Sequence, residues 1–122
     1  MPAKGVPMER LLLAEKKFPN DIVRDIETIE SILLRHGAWR IILYGSLARG
    51  DYRADSDIDI CCEGIPSEHY FRALAECLMT THRRVSVLDF ASIQGYFKDR
   101  ILREGKILYE HDRAAEGDRV RA

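Results

Sequence analysis

The chain has 122 residues, of which 46% are hydrophobic and 32% are charged, and its formal net charge at pH 7 is −1. These values are typical of one globular domain, and a balanced charge disfavours direct nucleic-acid binding, which usually requires a strongly basic protein. The apolar runs are far shorter than the roughly 20 residues of a membrane span, and a secretory signal is not recognised. The three cysteines are an odd number. We therefore expect a cytoplasmic protein with no membrane contact and no disulfide framework.

Composition divides the chain into three segments. Residues 1–19 are predicted to form an N-terminal extension with a weak helix, and two roles stay open for its apolar cluster, Leu11 to Leu13 with Phe18: packing on the sheet, or forming part of a partner interface. Residues 20–110 are predicted to form the folded domain. Residues 111–122 are polar and are predicted to be a disordered tail.

The domain begins with an amphipathic helix. Apolar residues recur at helical spacing from residue 20, with Asn20 or Asp21 as the predicted N-cap and Gly37 at the helix end. The short β-branched run at 39–44 then predicts a buried strand, which Gly45 closes.

The second strand is predicted at 57–62, where the sequence alternates strictly. Asp57, Asp59 and Cys61 should share one face of this strand, and Ile58, Ile60 and Cys62 should share the other. We expect the first face to contact water and the second to contact the core.

The second half of the chain alternates helices and strands. The predicted elements are a helix capped by Ser67, a strand at 84–90, a helix that carries Ile93, Phe97 and Ile101 and ends at Gly105, and a strand at 106–110. This order predicts an α/β (α+β) fold, in which a small mixed sheet has helices packed on one face.

Two short motifs predict a site: Gly45-Ser46, directly after the first strand, and Asp57-x-Asp59, at the start of the second. The backbone positions of Asp57 and Asp59 should lie about 7 Å apart, so that both carboxylates can bind the same divalent ions. Oxygen ligands favour Mg²⁺ or Mn²⁺ over zinc. Gly45 allows a ligand to approach the backbone closely, Ser46 offers a hydroxyl and an N–H group, and Arg49 can add positive charge near phosphates. Each motif alone is common, but their combination favours a nucleotide site.

The stretch "GSLARGDYRADSDIDI" resembles the signature of the minimal nucleotidyltransferases, small members of the DNA polymerase β-like nucleotidyltransferase superfamily. In that signature Gly-Ser is followed after ten residues by Asp-x-Asp, and Gly45, Ser46, Asp57 and Asp59 match it position for position. The resemblance implies a nucleotidyltransferase-like fold and the transfer of a nucleoside monophosphate, usually AMP from ATP, to a hydroxyl. It assigns metal binding and catalysis to the two aspartates and nucleotide binding to Gly45, Ser46 and Arg49.

The resemblance also implies a partner. Proteins of this family are commonly encoded beside a HEPN-domain ribonuclease toxin and act as its antitoxin, by modifying it, by binding it, or by both. ATP is then the substrate, Mg²⁺ or Mn²⁺ is the metal, and the protein can form a hetero-oligomer with the toxin.

The family has a third acidic residue on the strand that follows the next helix, and here the corresponding stretch reads "VSVLDF". Aligned without a gap, Ser86 takes the third-carboxylate position, and the strand phase places it on the face of the two aspartates. Asp89 falls in the opposite phase, where it can cap the next helix, although a β-bulge would reverse this phase.

Three functions therefore remain open. The chain can be an enzyme that adenylylates a toxin, a binding module that has lost the third carboxylate and neutralises the toxin by occlusion, or a small-molecule nucleotidyltransferase of the aminoglycoside type. Serine is a much weaker metal ligand than a carboxylate and no useful base near neutral pH, which favours slow or absent catalysis.

Overall fold

The computed structural model describes residues 18–111. The elements in this range are α1 (Asn20–Arg35), β1 (Arg40–Tyr44), α2 (Gly45–Arg49), β2 (Ile58–Glu63), α3 (Ser67–Thr80), β3 (Val85–Asp89), a 3₁₀ turn (Phe90–Ser92), α4 (Gly95–Glu104) and β4 (Lys106–Glu110). The predicted N-terminal helix and nearly all of the polar tail lie outside the described residues. None of the described helices has the length and apolar character that a membrane span requires.

The four strands form one mixed sheet in the order β3-β2-β1-β4. Strand β1 pairs antiparallel with both β2 and β4, whereas β2 and β3 run parallel. A parallel neighbour requires a crossover connection, and α3 supplies it between β2 and β3. The predicted fold class, a small mixed sheet with helices, is confirmed.

The main core lies between one face of the sheet and the two long helices. Its largest fully buried side chains from the helices and central strands are Ile22, Ile26, Ile29, Leu33, Ile41, Leu43, Ile58 and Ile60. The isoleucines of α1 are spaced three or four residues apart, and those of β2 two apart, so each element presents one apolar side to this layer.

A second, smaller core lies on the opposite face of the sheet. It contains Ile42, Cys61, Phe90 and Ile101, the last of which belongs to α4. Cys61 is fully buried there, so the prediction that its face contacts water is wrong at this position. The physical reason is that α4 and the 3₁₀ turn cover part of the face that carries the aspartates.

The predicted helix caps are also wrong. Helix α1 has Pro19 at its N-cap and α3 has Pro66, and neither helix has a side-chain cap. The carbonyl of Pro19 accepts hydrogen bonds from the backbone N–H groups of Ile22 and Val23, both at 3.1 Å. Because each proline directly precedes its helix, Asn20 and Ser67 become the first helical residues rather than the caps.

Phe18 belongs to the main core, so of the two roles left open for it the structure shows packing on the domain. Its side chain is 6% exposed, and its ring meets that of Tyr52 edge-to-face with 5.6 Å between the ring centroids. The described start of the chain is therefore anchored to the loop between α2 and β2.

Candidate functional site

The centre of the candidate site is the contact between Gly45 and Asp59. Gly45 follows β1 directly and has a φ of +75°, a conformation that favours glycine. A Cβ atom at this position would overlap the Asp59 carboxylate and would lie 3.1 Å from its Cγ atom. Two independent constraints therefore require glycine where the carboxylate lies against the backbone.

Asp57 directly precedes β2, and its Oδ1 atom lies 3.7 Å from Nε of Arg84. Burial raises the pKa of Asp59 above its ordinary value, the negative charge of Asp57 raises it further, and Arg49 opposes both effects. The two carboxylates are thus close enough to repel each other. A bound cation would relieve this repulsion.

The donor set fits Mg²⁺ or Mn²⁺. Within residues 18–111 no group of three or more His, Cys, Asp or Glu side chains is arranged to hold a metal ion, so a fully protein-ligated zinc site is not built there. Mg²⁺ commonly takes one or two carboxylates and completes its shell with water and substrate phosphates. Asp57 and Asp59 satisfy this smaller requirement.

Ser86 lies beside Asp59 in the sheet. The parallel pairing of β2 and β3 sets Asp59 opposite Ser86, and the antiparallel pairing of β1 and β2 sets Tyr44 opposite Asp59. The β2–β3 register is continuous from Ile58 to Cys62, so no bulge reverses the predicted phase. Ser86 therefore lies on the face of Asp59, as its strand phase predicts.

Tyr44 and Ser86 lie on either side of Asp59 in the sheet. Burial raises the pKa of the Tyr44 phenol to about 12, although its interaction with the Ser86 side chain acts in the opposite direction. The phenol is thus protonated near neutral pH. Two neutral hydroxyls therefore flank Asp59 at the position where the resemblance predicts a third acidic residue.

Asp89 lies apart from the other aspartates. It pairs with Cys62 in the sheet, and its Oδ1 atom accepts a hydrogen bond of 3.1 Å from the backbone N–H of Ala91. It also accepts a 3.5 Å bond from the hydroxyl of Ser92. These bonds cap the 3₁₀ turn, as its predicted strand phase suggests.

Ser46 and Arg49 lie on α2, the short helix that follows Gly45. The carbonyl of Ser46 accepts a bond of 2.9 Å from the N–H of Gly50. Nε of Arg49 lies 3.3 Å from Asp51 Oδ2, and one of its terminal nitrogens lies 3.7 Å from Glu104 Oε1. Arg49 is therefore held between its own loop and α4.

A cavity of about 270 Å³ adjoins Asp59. Its lining consists of Tyr44, Gly45, Arg49, Asp59, Phe97, Arg100, Ile101 and Glu104. The structure thus gathers Gly45, Arg49 and Asp59 around one cavity, whereas Ser46, which follows Gly45, and Asp57, which lies two residues before Asp59, do not line it. Sequence reasoning missed the contribution of Arg100 and Glu104, because a helical arginine and glutamate give no signal of the surface they meet.

Comparison with known proteins identifies the family. The family model described as "Polymerase beta, Nucleotidyltransferase" matches residues 27–114, well over half of the chain. A protein of Methanocaldococcus jannaschii, inferred to be a protein adenylyltransferase, is 39% identical over 88 residues, which cover 70% of this chain and 91% of that protein. The chain belongs to the polymerase beta nucleotidyltransferase family.

Solved structures narrow the class. A chain inferred to be a minimal nucleotidyltransferase aligns with a TM-score of 0.56 and 25% identity, covering 80% of this chain and 93% of that one. A chain from the complex of a tri-AMPylated Shewanella oneidensis HEPN toxin with an MNT antitoxin aligns with a TM-score of 0.56 and 17% identity, covering 79% and 77%. The second likeness shows the fold alone. Together with the family match, the first places the chain among the minimal nucleotidyltransferases.

Proposed function

We propose that this chain binds ATP with Mg²⁺ or Mn²⁺ at Asp57 and Asp59 and transfers AMP to a hydroxyl of a HEPN-type toxin. The observation that carries the proposal is the seating of the Asp59 carboxylate against Gly45, at the wall of a cavity that also contains Arg49. This arrangement sets a metal-binding carboxylate beside a backbone that a phosphate can approach closely.

The residues of the site have distinct roles in this proposal. Asp57 and Asp59 hold the metal, which supplies positive charge to the triphosphate and to the attacking oxygen. Gly45, Ser46 and Arg49 hold the outer phosphates, so that the α-phosphorus faces the incoming hydroxyl. A bond forms between that hydroxyl oxygen and the α-phosphorus, the bond from the α-phosphorus to the oxygen that bridges to the β-phosphorus breaks, the hydroxyl proton passes to water, and the β- and γ-phosphates leave as pyrophosphate.

The toxin partner is proposed from the relatives. The M. jannaschii protein is inferred to modify proteins by adenylylation, and the S. oneidensis complex joins an MNT antitoxin to an AMPylated HEPN toxin. We place this protein acceptor in the cytoplasm, bound to the chain in a hetero-oligomer. The cavity beside Asp59 is small and lies at the surface, so a hydroxyl of another protein can reach it.

A second candidate function is supported by Ser86. At the position where the resemblance implies a third acidic residue, this chain has a serine, which lies beside Asp59 in the sheet, with Tyr44 on the other side of Asp59. Neither hydroxyl can act as a general base near neutral pH. A minimal nucleotidyltransferase that binds nucleotide and neutralises its toxin by occlusion, without transferring AMP, would have this composition.

Nucleotide binding is tested by thermal unfolding with and without ATP and millimolar Mg²⁺. We expect the ligand to raise the melting temperature of the wild type, because it binds only the folded state, and to leave that of the Asp57→Asn, Asp59→Asn double variant unchanged. The matched control carries Asp55→Asn and Asp99→Asn, two exposed positions with the same change of charge. An equal shift in the double variant would contradict the metal assignment.

Transfer is tested by incubating the chain with the HEPN-type protein encoded beside its gene, ATP and Mg²⁺, followed by intact-mass measurement of that protein. Each transferred AMP adds about 329 Da, which is the mass of AMP minus water and follows from formation of one phosphoester bond. A stable complex with unmodified partner mass would select the binding module over the enzyme.

A further inference from the structure

The C-terminal part of α4 forms one wall of the cavity and carries two charged residues for which the family signature has no role. One terminal nitrogen of Arg100 lies 3.3 Å from Oε1 of Glu104. A terminal nitrogen of Arg49 lies 3.7 Å from the same oxygen atom. A single anionic oxygen therefore lies between two guanidinium groups, beside Gly45 and Asp59.

We propose that Arg100 is a second phosphate-binding residue of this site, and that Glu104 occupies the place of a phosphate oxygen until the nucleotide displaces it. The inference rests on the proposed nucleotide-binding function and extends it to Arg100 on α4 as a further phosphate-binding residue. Guanidinium groups are strong hydrogen-bond donors to phosphate oxygens, so two of them beside one anionic oxygen offer a phosphate charge-assisted hydrogen bonds from both sides.

The charges of the cavity favour displacement of Glu104 from the two arginines by a phosphate group. Arg49 and Arg100 are balanced by Asp59 and Glu104, so the empty cavity presents no excess of positive charge. Side chains of Arg49, Arg100 and Glu104 are 39%, 41% and 31% exposed, so water screens their ion pairs and each pair is weak. A triphosphate carries several negative charges and can replace one glutamate with a net electrostatic gain.

The position of Arg100 is fixed by the packing of its helix. The next residue, Ile101, is 2% exposed and belongs to the smaller core, and the ring of Phe97 meets that of Tyr44 at a centroid distance of 6.0 Å. At the helix end, a Cβ atom on Gly105 would lie 2.6 Å from a methyl carbon of Ile42. Helix α4 thus lies close against β1, and the side of the helix that carries Arg100 borders the cavity.

Arg103 provides a matched control on the same helix. Its guanidinium lies over the ring of Tyr96 at 5.9 Å, and it does not line the cavity. The two arginines therefore differ in the surface they meet but not in charge or helix.

The experiment measures binding of two probes by titration calorimetry, ATP with Mg²⁺ and inorganic tripolyphosphate with Mg²⁺. For Arg100→Gln we expect Kd to rise roughly tenfold for both probes, as the loss of a partly exposed charge-assisted hydrogen bond implies. For Glu104→Gln we expect Kd to fall, because the competing carboxylate is removed. For Arg103→Gln we expect no change.

The outcomes separate this inference from the function on which it rests. If the wild type binds ATP and the Asp57→Asn, Asp59→Asn variant loses binding, but Arg100→Gln binds like the wild type, only the inference is overturned. A higher Kd for Glu104→Gln would also overturn it, since Glu104 would then position the arginines without competing with phosphate for them. If the wild type binds neither probe, the proposed function fails together with the inference.

Discussion

The two faces of the sheet are built for different tasks. The face beneath α1 and α3 is covered along its length by a single apolar cluster that includes Ile58 and Ile60 of β2. The opposite face is covered in part by α4 and the 3₁₀ turn, which bury Cys61, and elsewhere it carries the polar row of Tyr44, Asp59 and Ser86. Along β2 the same face thus changes from site to core within two residues.

On the second face, the helix that buries the sheet also builds the candidate site. Helix α4 buries Ile101 against the sheet and also lines the cavity beside Asp59 with Arg100 and Glu104. Within residues 18–111, none of the core side chains on the first face lines that cavity. Changes on the second face alter the candidate site, its wall, or both.

The largest expected effect on stability comes from the covered face. Ile60 is fully buried in the main core, and Ile60→Ala should lower the free energy of unfolding by roughly 2–5 kcal/mol, through lost burial and the cavity that remains. On the other face Ser86→Ala removes one hydroxyl from a half-buried strand position and should change it by about 1 kcal/mol or less. Urea unfolding of both variants measures the contrast, and equal losses would show that the polar row is part of the folding core.

The next effect concerns rate. Ser86→Asp should place a third carboxylate beside Asp59, with the Tyr44 hydroxyl able to donate a hydrogen bond to it. General-base assistance is typically worth roughly a hundredfold or more, so transfer of AMP to the toxin partner should rise by that order. Initial rates from intact-mass time courses provide the measurement.

Ser86→Asn is the matched control for this gain. It has nearly the size of aspartate but no negative charge, so it should bind metal weakly and accept no proton. A similar rise in rate for both variants would attribute the effect to side-chain size, and a decline for Ser86→Asp alone would place the reacting hydroxyl elsewhere.

The sequence predicted what depends on local periodicity. Strict alternation places Ser86 and Asp59 on one face, and the pairing of β2 with β3 confirms that phase. Local periodicity did not predict the burial of Cys61 or the place of Arg100 in the cavity wall. Both depend on where α4 packs, which is a contact between segments about 40 residues apart. The helix caps failed for a local reason, since Pro19 and Pro66 supply backbone carbonyls where side-chain caps were expected.

The smallest expected effect tests the role of Asp89 as a cap. Asp89→Ala removes the acceptor for the N–H of Ala91 and should cost about 1 kcal/mol of stability. Asp89→Asn keeps a side-chain oxygen and should cost less, and neither change should alter the rate of AMP transfer, because Asp89 is paired with Cys62 and not with the carboxylates of the site. Thermal unfolding and the transfer assay are run on the same samples. Suppose that Asp89→Asn abolished a robust wild-type transfer while Ser86→Asp changed nothing. Asp89 would then be the third carboxylate, and the catalytic group would lie outside the row of Tyr44, Asp59 and Ser86 that the sheet register defines.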